Sequence, residues 1–224
     1  ASYNTAVGMD ALRTTTTGQH NVALGSNALY SNTIGHSNTA VGYESLKSNT
    51  TGTVNTAIGW SSMKENTIGH ANVAMGYYAM RANTTGTYNT AVGYRALDTN
   101  TIGSANTVLG NESLFSNTTG SNNSGVGRDV LRTNTIGAGN TAMGKAAMYS
   151  NTTGNDNTAV GFNALLSNTI GGGSVAIGKG ALQTNTTGVE NVAVGLSALF
   201  GNTIGVKNVA MGYNALQTNT TGTN

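Results

Sequence analysis

The sequence contains neither cysteine nor proline, and only 8% of its residues are charged. Without cysteine the chain can form no disulfide framework and no thiolate metal site. Its ten basic and eight acidic residues are scattered singly, so the basic stripe typical of nucleic-acid binding is missing and we expect no nucleic-acid partner. No apolar run approaches the roughly 18 residues that span a bilayer, and we expect no membrane insertion in this segment.

What the chain has in excess is glycine, with 32 residues, together with asparagine and threonine. Such a composition without a period would indicate disorder. Here the glycines recur at every seventeenth position, and a second glycine column keeps the same interval from Gly18 and Gly35 to Gly222. The first column consists of Gly8, Gly25, Gly42, Gly59, Gly76, Gly93, Gly110, Gly127, Gly144, Gly161, Gly178, Gly195 and Gly212.

A repeat of this length, punctuated by Asn, Thr and Gly, is too short for a helical hairpin. We therefore predict an all-β fold, a β-solenoid or β-roll of thirteen 17-residue coils across residues 1–224. In each coil NTAVG forms a strand, ALxSNT forms a second strand or extended arm, and the two glycines form tight corners through positive φ. The pattern is under way at Ala1 and still running at Asn224, so we expect the chain to be part of a longer protein.

Side-chain alternation predicts which residues share a face. The large apolar column that begins Val7, Leu24, Val41 is expected inside, against the column of Leu12, Leu29 and Leu46. Val92 and Leu97 should thus be buried, with Tyr94 and Arg95 outside. The intervening alanine column is expected on the outer face, where small side chains let another copy approach; it begins Ala6, Ala23, Ala40, Ala57, Ala74 and Ala91.

Three polar columns are interpreted as structural. Asparagines that follow from Asn4 and from Asn32 each fill twelve of thirteen positions and should hydrogen-bond from coil to coil as amide ladders do. The threonines equivalent to Thr16 should satisfy one polar group of the next coil. The residue that follows alternates Thr17, Ile34, Thr51, Ile68 over a 34-residue superperiod. Either adjacent coils compensate for each other's bulk at this corner, which we favour, or a full turn takes two repeats.

The unit resembles the head repeats of YadA-like trimeric autotransporter adhesins, and similar NTAVG arrays occur in phage tail fibres. Residues 174–181, SVAIGKGA, match the adhesin strand motif closely, and NTAVG or NVAMG takes its place in other units. The resemblance implies a left-handed β-roll within a homotrimeric fibre, with the alanine column near the three-fold axis. The 17-residue unit is longer than the adhesin repeat, so the corners must differ.

Two surface features are candidates for binding. The first is an aromatic column, which stacks on sugar rings or shields the strand edge; it holds Tyr43, Trp60, Tyr77, Tyr94, Phe162 and Tyr213. The second is a pair of hydroxyl rows formed by S/T-x-T triplets, as in ice-binding solenoids, although Glu65, Ala82 and Gly201 break the first row. Residues in the second row include Thr33, Thr50, Thr101 and Thr135.

No catalytic constellation is present in the sequence, and we expect neither an enzyme nor a cofactor or metal site. None of the eight acidic residues recurs with a basic or nucleophilic partner, and the three histidines lack further ligands. The leading hypothesis is the structural shaft of an extracellular trimeric fibre, on a virion or a cell surface, as a rigid spacer. Its partners would be copies of itself, with a host glycan or matrix contact on the flank. The alternative is an ice-binding β-solenoid.

Overall fold

The computed structural model describes residues 2–223, which form two compact units, Ala1–Leu109 and Gly110–Asn224. The first unit contains β1 Thr5–Val7, β2 Val22–Leu24, β3 Thr39–Val41, β4 Thr56–Ile58, β5 Val73–Met75, β6 Thr90–Val92 and β7 Thr107–Leu109. The second contains β8 Ser124–Val126, β9 Thr141–Met143, β10 Thr158–Val160, β11 Val175–Ile177, β12 Val192–Val194 and β13 Val209–Met211. The described residues include no helix.

Within each unit the strands pair in parallel and in chain order, and each strand residue lies opposite its equivalent in the next repeat. Ala40 lies opposite Ala57 in the first unit, and Ala159 lies opposite Ala176 in the second. The amide of Gly25 donates to the carbonyl of Val7 at 2.8 Å, so these glycine-ended strands lie on adjacent coils. The predicted parallel β-solenoid with coils of roughly 17 residues is confirmed, and a 34-residue turn is excluded within each unit.

The predicted second strand is wrong, because the rest of each coil is made of turns and bends. Glu44 and Leu46 adopt positive φ angles of 54° and 50°, and the equivalent residues of other coils do the same. Left-handed conformation costs a non-glycine residue on the order of 1 kcal/mol. The turns persist because their amides still bond to the next coil: Leu46 N–H donates to Ser62 O at 3.0 Å.

The two faces of each strand are the reverse of the prediction. Ala23, Ala40 and Ala57 point into the coil with no exposed surface, and the equivalent residues of later coils are buried too, whereas Ala6 of the first coil is exposed. The large residues between them point outward, and we call them the outer aliphatic column: Val7, Leu24, Val41, Ile58, Met75, Val92, Leu109, Val126, Met143, Val160, Ile177, Val194 and Met211. Members are half-buried to exposed, as in Leu24 at 47% and Leu109 at 52%.

The reversal follows from the narrowness of the coil. One three-residue strand faces a turn whose own leucine or methionine already fills the interior, as Leu46 and Met63 do with no exposed surface. Only a small side chain fits opposite these residues in a closely packed interior, which is alanine in most coils and valine at Val108. Leu97 is therefore buried as predicted, whereas Val92 is half-buried on the outer face and Tyr94 is exposed. Arg95 is half-buried, and its Nε lies 2.7 Å from Oδ2 of the fully buried Asp98.

The two glycine columns have different causes. Gly59 adopts a φ of 133°, as predicted for a corner, and a Cβ there would collide with the backbone carbonyl of Gly76. Gly35 does not adopt positive φ. A Cβ on Gly35 would instead collide with Asn32 Oδ1 and with the carbonyl of Gly52. The second column is thus required by close approach between coils and not by a left-handed corner.

Both asparagine ladders and the threonine contacts are present. Asn49 Nδ2 donates to Asn32 Oδ1 at 2.8 Å and to Gly52 O at 3.0 Å. In the other ladder Asn55 Nδ2 donates to Asn38 Oδ1 at 3.1 Å. These asparagines have no exposed surface, so each ladder is an internal polar core in which the amides satisfy one another.

The 34-residue superperiod lies at an exposed corner, where Ile34 and Ile68 are each 52% exposed. Larger side chains of one coil cover small residues of the coil before it. A Cβ added to Gly173 would lie 3.4 Å from Cγ of Glu190, which is the equivalent residue one coil later. This contact agrees with compensation of bulk between adjacent coils, which is the interpretation that remains once a 34-residue turn is excluded.

Candidate functional site

Four residues of the aromatic column predicted from the sequence, Tyr43, Trp60, Tyr77 and Tyr94, lie on the first unit, and Phe162 and Tyr213 lie on the second. The four are between 38% and 49% exposed. Tyr43 stacks on Trp60 with ring centroids 4.3 Å apart, and Tyr77 stacks on Tyr94 at 5.5 Å. The rings thus form two stacked pairs, because coil spacing of about 4.8 Å is also a favourable ring spacing.

Beside the first pair lies a cavity of about 280 Å³ that the sequence did not predict. Tyr43 and Trp60 line it from the aromatic column, and Tyr78 adds a third ring from the following turn. The guanidinium of Arg81 lies over the Tyr78 ring, 5.0 Å from its centroid. The exposed carboxylate of Glu65 and the methyl group of Ala82 also line the cavity.

Most charges around this cavity are already paired. Glu44 Oε1 lies 2.6 Å from Lys47 Nζ, and its Oε2 lies 2.9 Å from Lys64 Nζ. On the far side, Asp98 Oδ1 is 2.9 Å from Arg81 Nε. The local field is therefore close to neutral, and the lysine and arginine side chains are held in fixed positions.

These ion pairs shift the titration of their members. Burial by itself would raise the pKa of Glu44, but hydrogen bonds from Lys47 and Lys64 and attraction to both outweigh it, so the pKa is lowered. The hydrogen bond to Glu44 raises the pKa of Lys64. The phenol pKa of Tyr77 is raised, first by its hydrogen bond with Tyr78. The charged state of the Glu44 cluster is thus favoured across the neutral range.

The predicted hydroxyl rows are engaged in contacts between coils. Thr33 Oγ1 donates to Thr50 O at 3.0 Å, Thr50 Oγ1 donates to Thr67 O at 3.1 Å, and Thr135 Oγ1 donates to Thr152 O at 3.0 Å. The carbonyl of Thr101 accepts the hydroxyl of Thr84 at 3.0 Å. All four predicted threonines are half-buried. Their hydroxyl groups therefore join adjacent coils, which is the structural role predicted for this threonine column.

The first hydroxyl row is also used internally. Thr133 Oγ1 donates to Tyr149 O at 2.9 Å, and Thr14 Oγ1 donates to Tyr30 O at 2.9 Å. Glu65 and Ala82 replace this hydroxyl where the cavity opens. These two departures were visible in the sequence, but Tyr78 and Arg81 could be placed beside them only after the turn geometry was known.

In most of the repeated Asn-Thr-Thr sequons the asparagine is inaccessible in the folded chain. Asn49, Asn83 and Asn151 have no exposed surface, and their amides are bonded within the ladder. Across residues 2–223 no group of three or more His, Asp or Glu residues could hold a metal ion. The same residues contain no helix that is long and apolar enough to cross a membrane.

Comparison with known proteins gives no match to any family model. No curated protein is significantly similar in sequence either.

Proposed function

We propose that the chain forms part of the structural shaft of an extracellular fibre, a phage tail fibre or a bacterial surface adhesin, in which three copies pack side by side. The solenoid, left-handed as its resemblance to adhesin head repeats implies, would act as a spacer. The observation that carries the proposal is the outer aliphatic column, which leaves a large apolar residue on the surface of coil after coil.

This column is rich in large apolar residues and free of charge, as the cores of protein interfaces are. Within the first unit Leu24, Ile58, Met75 and Leu109 are exposed by 38% to 52%. The strand position two residues earlier holds only Thr, Val or Ser, so neither outward position of any strand carries a charge. Soluble monomers seldom expose contiguous apolar patches, and charged residues are depleted where protein surfaces meet.

Copies of the same chain are the occupant that fits this surface best. Every copy carries the same coil repeat, so large side chains on one copy meet the spaces between coils on another at each step. Closed symmetry hides all such faces at once. The resemblance to trimeric adhesin repeats favours three copies. The alanine column cannot form this interface because it is already buried within each coil.

The spacer role is supported by the density of bonds between coils. Within each unit the coils are joined through the strand, the turn and the corner, as at Gly59 N–Val41 O, Leu46 N–Ser62 O and Thr50 N–Thr67 O. The two amide ladders add side-chain bonds wherever asparagine recurs, as at Asn49 and Asn55. Such a stack resists local opening and proteolysis within each unit because few of its backbone groups are free.

The proposal is tested by placing charge on the outer aliphatic column. The double variant Ile58→Arg/Met75→Arg should reduce the mass in solution to that of one chain, 22.6 kDa, while the β-type circular dichroism remains. Light scattering after size-exclusion chromatography gives the mass. The matched control is Ile68→Arg/Ile102→Arg, which charges isoleucines that are 52% and 54% exposed on another corner. If both variants keep the wild-type mass, the proposed interface is wrong.

Ice binding is the second candidate function. The outward face of the strands suits it better than the hydroxyl rows do, because those hydroxyl groups are already bonded between coils. Outward threonines such as Thr39, Thr56, Thr90 and Thr107 stand beside the aliphatic column on a regular parallel lattice. The two functions require different states of association, since a face buried between copies cannot meet ice. A stable wild-type monomer that inhibits ice recrystallisation would favour this candidate over the fibre shaft.

A further inference from the structure

The cavity on the first unit lies where the repeats depart from their own pattern. Ser or Thr precedes the asparagine ladder in every coil except at Glu65, Ala82 and Gly201. Two of these three residues line the cavity. Trp60 is the only tryptophan in the chain, and Tyr78 is the only aromatic residue at its repeat position. Because the needs of the fold are met alike in every coil, departures gathered at one cavity indicate a local function.

The aromatic residues give the cavity an apolar wall with exposed ring area. The Trp60 side chain is 49% exposed although it stacks on Tyr43. The Tyr78 ring lines the cavity from the next coil. Aromatic faces carry negative charge density and attract the weakly positive C–H groups of a saturated ring. The C–H face of a pyranose sugar has this chemistry.

The polar groups of the cavity suit hydroxyl groups better than a charged ligand. Lys64 and Arg81, the cations of the cavity lining, are already paired with Glu44 and Asp98, so no free cation remains to hold an anion, and the single free carboxylate of Glu65 is the one unpaired charge. Within residues 2–223 no ion pair engages Glu65, whose carboxylate is approached by Ser48 Oγ at 3.4 Å. It can therefore accept hydrogen bonds from ligand hydroxyls, while the fixed guanidinium of Arg81 donates.

Ala82 provides the space. The threonines at its repeat position direct a hydroxyl to the carbonyl of the next coil, as Thr133 does, and Ala82 has only a methyl group. The cavity of about 280 Å³ is slightly below the range of about 300–1,000 Å³ found for drug-sized ligands, which suits one small ring.

We propose that this cavity binds a single neutral pyranose ring, with its C–H face on Trp60 and its hydroxyls on Glu65 and Arg81. The inference goes beyond the shaft function and does not depend on it. On a fibre, such a site would hold one sugar of a surface glycan.

The test uses the fluorescence of Trp60, which reports on this cavity alone because no other tryptophan is present. The full chain is titrated with methyl β-D-glucopyranoside, methyl α-D-mannopyranoside and methyl β-D-galactopyranoside. At least one should give a saturable change with a dissociation constant on the order of 1 mM. Glucuronate serves as the charged probe, and glycerol at equal concentrations serves as the non-cyclic polyol.

Variants that restore the repeat pattern provide the controls. Ala82→Thr and Glu65→Ser each install a residue type that other coils use, so folding should be retained while the affinity for the sugar falls at least tenfold. Ser150→Thr makes a matched change at the same repeat position of the second unit and should leave the affinity unchanged.

Three outcomes would overturn the proposal: a response to all pyranosides no greater than that to glycerol, saturation by glucuronate alone, or unchanged affinity in Ala82→Thr. The mass in solution is measured separately, so failure of the sugar site is distinguishable from failure of the fibre shaft.

Discussion

Asn49 and Asn32 are 17 residues apart in the chain, and the amide nitrogen of the first donates to the amide oxygen of the second at 2.8 Å. Asn49 Oδ1 then accepts from Asn66 at 2.9 Å, and the series continues along the unit. Each side-chain amide therefore donates to the preceding coil and accepts from the following coil. The ladder thus ties the register of every coil to that of its neighbours.

Replacing one ladder residue should therefore destabilise more than one coil. Asn66→Ala removes the bonds to Asn49 and Gly69 and leaves Asn83 Nδ2 with one acceptor fewer. Loss of bonds and of buried polar satisfaction should lower the free energy of unfolding by about 2–4 kcal/mol, measured by urea denaturation. Asn111→Ala, at an exposed asparagine, should change it by less than about 0.5 kcal/mol. Similar losses in both variants would show that the ladder adds no stability.

The reversed strand faces predict opposite responses from neighbouring residues. Ala74 has no exposed surface, so Ala74→Leu overpacks the coil and should cost about 1–3 kcal/mol or prevent folding. Met75→Leu, on the 39% exposed neighbour, conserves volume and should stay within about 0.5 kcal/mol. Chemical denaturation measures both. If Ala74→Leu left the stability unchanged, the alanine column would have to lie on the outer face.

The corner glycines predict a difference within one column. Gly59→Ala forces a side chain into a φ of 133° and into the carbonyl of Gly76, so it should cost about 4 kcal/mol or more. At Gly212 the φ is 121°, but nothing lies within 4 Å of an added Cβ. Gly212→Ala should therefore cost only the backbone strain, about 1–3 kcal/mol. Thermal unfolding of both variants separates the steric effect of the added Cβ from the strain of positive φ. Equal losses of stability would show that positive φ alone requires glycine in this column.

The Glu44 cluster predicts a pH dependence. Because the pKa of Glu44 is lowered in the folded chain, its stabilisation is complete above the unfolded value of about 4.3 and is lost as pH falls through the folded value. Wild type should melt at a higher temperature than Glu44→Gln at pH 7, and this gap should shrink as pH falls below the unfolded value. Glu65→Gln, at a carboxylate outside any described ion pair, should show little gap at either pH. A gap for Glu44→Gln that is constant with pH would contradict the cluster.

The sequence could predict the coil length, the strands and the ladders because each recurs at a constant interval of 17 residues. Periodicity of two also showed that Ala57 and Ile58 lie on opposite faces of the strand. It could not show which of them is inside, since that depends on the width of the coil. The turn sets that width: Leu46 at a φ of 50° projects into the interior and leaves room for only a small side chain opposite.

The candidate site was less accessible to prediction for the same reason. Tyr43 and Trp60 were found because they repeat at one position of the coil. Tyr78 and Arg81 occupy positions that are variable among coils, and their approach to Trp60 depends on positive φ at Tyr78, which is 57°. Glu65 and Ala82 were the only other lining residues visible in the sequence, because they interrupt the first hydroxyl row.

The most direct test of the fibre proposal is the mass of the unmodified chain in solution, measured by sedimentation equilibrium over a wide concentration range. If the outer aliphatic column is buried between three copies, the mass will be about three times 22.6 kDa and will persist on dilution. A mass of 22.6 kDa at every concentration would mean that this face remains exposed, and it would contradict the trimeric fibre.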